Sequence, residues 1–150
     1  MNERSIATSV NAHNASFTYP LGARPGIQGV SDVSFSVSPG QCLLITGDSG
    51  SGKSTVLKLI NGLIPHFNPG ELLGAITIIK DDQAFNPAEE PLSRAIEFSA
   101  SVFQNPRTQF FTESVNAELA FGLENLGVDP TEIESRIQSA VELLGIDRKS

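Results

Sequence analysis

The chain has 150 residues, about one domain with room for a buried core, and its 39% apolar and 18% charged residues suit a soluble globular protein. A net charge of -7 excludes a general nucleic-acid binder, which needs a basic face to meet phosphates, but leaves open a local site for one nucleotide. No apolar run approaches the roughly 20 residues of a membrane-spanning helix. Met1 to Val10 lacks the apolar core of a secretory signal, and the single cysteine, Cys42, fits a reducing compartment. The expected location is the cytoplasm.

Residues 1 to about 14 are polar and unpatterned and read as a lead-in. Ser16-Phe17-Thr18-Tyr19 alternates and stops at Pro20, predicting a short strand. Leu21 to Gly29 is rich in Gly and Pro and reads as a loop. Val33 to Val37 alternates apolar and polar, predicting a half-buried strand, and Ser38-Pro39-Gly40 is a turn. Cys42 to Thr46 is a continuous apolar run. It predicts a strand buried on both faces, with Cys42 as a small buried hydrophobe.

Ser54 to Asn61 reads as a helix, with Val56, Leu57, Ile60 and Leu63 at helical spacing and Gly62 near its C-terminal end. Pro65 to Gly74 reads as a loop, and Ala75 to Ile79 as a strand ending in the polar turn Lys80-Asp81-Asp82. Asn86 to Ser93 should be exposed. Ser99 to Phe103 reads as a strand broken by Gln104-Asn105-Pro106. Two helices follow. One runs from Glu113 to Leu126 and is weakened at Gly122. The other has Asp129 as N-cap, Pro130 in its first turn and Glu132 at the capping-box position. Ile133, Ile137, Ala140, Val141 and Leu144 make its apolar face, and Gly145 ends it.

Between the apolar run and the first helix lies Gly47-Asp48-Ser49-Gly50-Ser51-Gly52-Lys53-Ser54, which matches G-x-x-x-x-G-K-[ST] at every fixed position. Its glycines let the backbone turn tightly and aim several N–H groups at phosphates. The helix starting near Lys53 adds the positive end of its dipole. In this pattern the Lys53 ammonium reaches the β- and γ-phosphates. The Ser54 hydroxyl is the expected Mg²⁺ ligand, and Thr55 can hydrogen-bond the α-phosphate. The expected ligands are ATP and Mg²⁺, bound by residues 47–55, with Lys53 also catalytic. A dinucleotide fingerprint is excluded, because position 55 is Thr where that motif has Gly.

Four segments together resemble the ATP-binding domains of ABC transporters, in particular the energy-coupling-factor and cobalt-type importers, over roughly Ser16 to Gly145. Phe17-Thr18-Tyr19-Pro20 matches the place of an aromatic that stacks on adenine, which implies that role for Tyr19. Val33 to Gly40, with Gln41 and the apolar run, resembles the strand, turn and strand that lead into the phosphate loop. Val102-Phe103-Gln104-Asn105-Pro106, with Gln109-Phe110-Phe111 behind it, resembles the Q-loop. That implies that Gln104 meets Mg²⁺ and the attacking water's surroundings and links the site to a membrane partner. A neutral amide suits this, because it binds metal through oxygen without titrating. Glu118 to Gly127 resembles the start of the helical subdomain, and Asn61 to His66 also resembles this subfamily. His66 stands apart from His13 without metal-ligand spacing and reads as a loop residue.

The resemblance implies an α/β phosphate-loop fold with a mostly parallel core, an antiparallel β-subdomain (with the phosphate-loop core, about residues 15–104) and the beginning of a helical subdomain (with the Q-loop, about 105–150). It further implies a head-to-tail dimer with a second ATP-binding domain and a transmembrane transport subunit near the Q-loop. The protein would be peripheral on the inner face of the cell membrane and drive uptake of a vitamin or a metal ion. The family's signature loop, its Walker B strand with the general-base Glu, and its switch histidine are not found before Arg148-Lys149-Ser150. The simplest expectation is a truncated domain that binds nucleotide weakly and hydrolyses it negligibly. Two other readings stay open. Ala75 to Asp82 could serve as a Walker B in a small kinase-like NTPase, although Lys80 interrupts the pattern. The chain could also be a non-catalytic nucleotide-binding remnant.

Overall fold

The computed structural model describes residues 7–22, 24–105 and 109–145. The lead-in residues 1–6, Pro106 and Arg148-Lys149-Ser150 lie outside the described residues. The chain is of the α/β class and divides into two compact units, Met1–Ser101 and Val102–Ser150.

The first unit is built on a four-stranded antiparallel sheet in the order β2-β1-β3-β4. Its strands are β1 (Thr8–Leu21), β2 (Arg24–Val37), β3 (Glu71–Lys80) and β4 (Gln83–Phe85). β1 pairs with β2 from Val10↔Val37 to Leu21↔Arg24, and with β3 from Thr8↔Lys80 to Thr18↔Glu71. β1 is therefore much longer than Ser16–Tyr19, and residues 8–14 are strand rather than lead-in. The reason is a bulge. Asn14 has φ 47°, and the register shifts between His13 and Ser16. Ala12 is buried before the bulge, and Ala15 and Phe17 after it. The inward phase thus changes from even to odd, which erases a single period-two pattern. β2 has a matching irregularity at Asp32, φ 50°. The two are tied together, Asn14 Nδ2 donating to Asp32 Oδ1 at 2.6 Å and the Asp32 amide to Ser16 Oγ at 2.8 Å. Leu21 to Gly29 is correspondingly not a loop. Beyond Gly22 it re-enters the sheet as the start of β2.

α1 (Lys53–Ile60) packs on this sheet through Val56 and Leu59. Leu57 faces solvent, so the buried stripe differs from the predicted one. Phe17, Ile64 and Ile76 complete this core with Val30. Asn61 follows α1, and its Oδ1 accepts the Leu63 amide at 3.1 Å; a short helical turn, α2 (Leu63–His66), broken by the extended Ile64, occupies the start of the predicted loop. The loop is further shortened because β3 begins at Glu71. Asp81 and Asp82, φ 48° and 65°, form the two-residue hairpin turn to β4. A second core cluster joins Ile78 and Phe85 to Ala95 and Phe98 of α3 (Leu92–Phe98), a helix that the predicted elements lacked. The segment from Asn86 is not wholly exposed. Pro87 is fully buried, and its carbonyl meets His66 Nε2 at 3.2 Å.

Two predicted strands do not form. Cys42 to Thr46 has no strand partner among the described residues; Leu44 is 82% exposed and Cys42 is exposed rather than buried. Only Ile45 packs, against the first core cluster. Ser99 to Phe103 is likewise irregular, and Val102 is 92% exposed. A strand buried on both faces needs cover on both, and within Cys42 to Thr46 only Ile45 finds any among the described residues.

The second unit holds α4 (Val115–Asn125) and α5 (Pro130–Leu144). Asp129 caps α5, accepting the Thr131 amide at 2.9 Å, with Pro130 in the first turn and Gly145 as left-handed C-cap. Ile133, Ile137 and Val141 are buried against Leu119 and Leu123 of α4, whereas Leu144 is exposed. Glu118 gathers the loop before α4, accepting from the Phe111 amide, the Thr112 amide and the Thr112 hydroxyl at 3.0–3.1 Å. Desolvation raises its pKa, but these bonds together outweigh it and hold the carboxyl below the ordinary glutamate value.

Two outcomes follow. Phe85 is fully buried and stacks on Phe98 at 4.7 Å, so Phe85→Ala should destabilise the first unit by about 3–5 kcal/mol, read from denaturant unfolding. Glu118's lowered pKa means that its contribution is complete above the ordinary glutamate range. It is lost as pH falls through the lowered value. An acid titration followed by circular dichroism should therefore show a loss that Glu118→Gln no longer shares.

Candidate functional site

The turn Ser38-Pro39-Gly40 and the irregular run after it lead from β2 to the loop Gly47–Gly52, which enters α1 at Lys53. Gly52 has φ 92°, a conformation that residues with a side chain rarely adopt. It also touches the sheet: a Cβ there would stand 2.3 Å from the Gly29 carbonyl oxygen and 2.7 Å from Val30 Cγ1. Both facts demand glycine, and they seat the first turn of α1 directly against β2. Gly47 and Gly50 have positive φ as well.

The loop wraps the Lys53 ammonium. Nζ donates to the Gly47 carbonyl at 2.8 Å, the Asp48 carbonyl at 2.6 Å and Ser51 Oγ at 3.3 Å, while the Ser51 amide closes a turn on Asp48 at 3.2 Å. The cation therefore sits within the loop at the start of a helix, where backbone N–H groups and the helix dipole also favour an anion.

Beside it lies a pocket of about 240 Å³ lined by Gly50, Gly52, Lys53, Ser54 and Thr55 of the loop and α1, and by Tyr19, Ile27, Gln28 and Gly29 of the sheet. Tyr19 leans edge-on against Phe17, ring centroids 4.8 Å apart, and its hydroxyl lies 3.1 Å from Thr55 Oγ1. Of the residues singled out in the sequence, Tyr19, Gly50, Gly52, Lys53, Ser54 and Thr55 share this pocket. Gly47, Asp48, Ser49 and Ser51 are not among its lining residues. Gln104 is exposed in irregular backbone of the second unit and is not among the residues that line this pocket. Asp81 and Asp82 are exposed on their hairpin turn and do not line the pocket. Among the described residues, none that lines this pocket is acidic. Ile27, Gln28 and Gly29 were missed because the glycines around them read as a loop. Their signal was the strand pairing with Phe17 to Tyr19.

The sequence profile described as "ABC transporter" matches residues 30–150. The chain belongs to the ABC transporter ATP-binding family. It is 40% identical over 137 residues to a Treponema denticola protein, covering 91% of this chain and 27% of the relative. A Methanosarcina acetivorans protein is 36% identical over 149 residues, 97% of this chain and 22% of the relative. A Pyrococcus abyssi protein is 38% identical over 135 residues, 90% of this chain and 46% of the relative. All three carry the provisional name ABC transporter ATP-binding protein. The chain spans about a quarter of the length of the first two. Among the described residues of this ABC ATP-binding chain, no helix is long and apolar enough to cross a membrane.

Gly52→Ala would combine an unfavourable φ with a backbone collision, and it should lower stability by about 1–3 kcal/mol. Gly50→Ala meets nothing within 4 Å and should lower the thermal midpoint less. Equal midpoints would contradict the close approach of loop and sheet.

Proposed function

We propose that this chain is the ATP-binding part of an ABC-type importer ATPase that couples ATP hydrolysis to uptake of a vitamin or a metal ion. The observation that carries the reading is the convergence of the glycine loop, the start of α1 and the Lys53 ammonium in one pocket beside Tyr19. The loop N–H groups and Lys53 would hold the phosphates of ATP. Lys53 would exchange the neutral Gly47 and Asp48 carbonyls for anionic β- and γ-phosphate oxygens, a gain because a full opposite charge attracts the ammonium more strongly than a carbonyl dipole does. Tyr19 offers its ring to adenine, and Thr55 its hydroxyl to the α-phosphate.

Ser54 is exposed at the pocket, and its hydroxyl, with the Gln104 amide oxygen, fits the preference of Mg²⁺ for oxygen donors. These oxygens would hold the ion, whose charge would offset that of the phosphates during transfer. Gln104 would orient the attacking water and sense the transport subunit; its exposure supports that reading. The segments about 15–104 and 105–150 would be the phosphate-loop core with its β-subdomain and the Q-loop with the start of a helical subdomain. A second ATP-binding domain, identical or different, would close over the site. The protein would act in the cytoplasm, peripheral on the inner face of the cell membrane.

Equilibrium titration with ATP tests the site. Lys53→Ala should weaken binding at least about tenfold, the loss of one charge-assisted contact of 1.5–3 kcal/mol. Unchanged affinity would refute the assignment of the loop as the phosphate site. This chain by itself should hydrolyse ATP negligibly, and turnover abolished by Lys53→Ala would contradict that.

A further inference from the structure

Tyr19 is gripped in a way that stacking on a base does not require. Phe17 meets the ring edge-on. Gly29 lies against it: a Cβ at Gly29 would stand 2.8 Å from Tyr19 Cε2 and 3.1 Å from Thr55 Cγ2. The missing side chain is what lets Tyr19 and Thr55 close on each other, and their hydroxyl oxygens are 3.1 Å apart. Thr55 is only 6% exposed, yet it lines the pocket in the first turn of α1 beside Lys53 and Ser54.

A hydroxyl carries one proton and two acceptor sites. If Thr55 gave its proton to Tyr19, it could not donate to a phosphate. A phenol O–H is a stronger hydrogen-bond donor than an aliphatic hydroxyl. We propose that the Tyr19 phenol donates to Thr55 Oγ1 and leaves the Thr55 proton aimed into the phosphate cradle, so that Tyr19 is a positioning residue for the phosphates and not only a wall for the base. This deepens the ATP-site reading and rests on it.

The test uses inorganic triphosphate, which has no base or ribose, beside ATP. Both are titrated into the wild-type protein and into Tyr19→Phe, Thr55→Val, the double variant and Thr55→Ser. Tyr19→Phe keeps the ring. It should nonetheless weaken triphosphate binding about three- to tenfold, the value of one hydrogen bond. Thr55→Val should do the same, and the double variant should lose no more than either single one, because the two groups act as one unit. Thr55→Ser should restore near wild-type affinity. Gly29→Ala, which pushes on both partners, should mimic Tyr19→Phe. Wild-type triphosphate affinity in Tyr19→Phe, or additive losses in the double variant, would overturn the proposal while leaving the ATP site standing. A wild-type protein that binds neither ATP nor triphosphate would overturn the ATP-site reading itself.

Discussion

Everything at the site depends on how closely the start of α1 can approach β2. The distance is set by two absent side chains. Without a Cβ, Gly52 rests against the Gly29 carbonyl, and without a Cβ, Gly29 admits the Tyr19 ring and the Thr55 side chain. Protein interiors are packed tightly enough that one added methyl group at either place must displace backbone or a packed ring. The two glycines therefore fix the loop, the helix and the aromatic wall as one arrangement. Lys53 then needs only to fold back on the loop carbonyls to place a cation at its centre.

The glycine loop ahead of α1 was legible in the sequence because its requirements are local: glycines for the turn, a lysine, a hydroxyl, and an amphipathic helix behind them. The capping of α5 was legible for the same reason, since Asp129, Pro130 and Gly145 each act within one turn. The long strands were not. The bulges at Asn14 and Asp32 change the inward phase of β1 and β2, and a period-two pattern read across such a point cancels itself. Glycines that serve close approach at 26 and 29 looked like glycines that serve a turn. Ile27, Gln28 and Gly29, the second wall of the pocket, were hidden by that confusion.

The apolar run Cys42–Thr46 shows a different limit. Its composition demands burial on two faces, but a hydrophobic pattern registers that a surface must be covered and not what covers it. Among the described residues, Leu43 and Leu44 stay exposed. Gln104 shows a third limit. Its assignment came from the motif around it and from family resemblance, and it lies in a unit separate from the pocket. The family match spans both segments.

The most direct measurement is the backbone amide NMR spectrum of the protein during titration with ATP. Phosphate binding by the loop requires that the amides of residues 47–55 shift first and saturably, and that inorganic triphosphate reproduces most of their movement. Saturating shifts elsewhere, with the loop amides of Gly50, Gly52 and Lys53 unmoved, would contradict it.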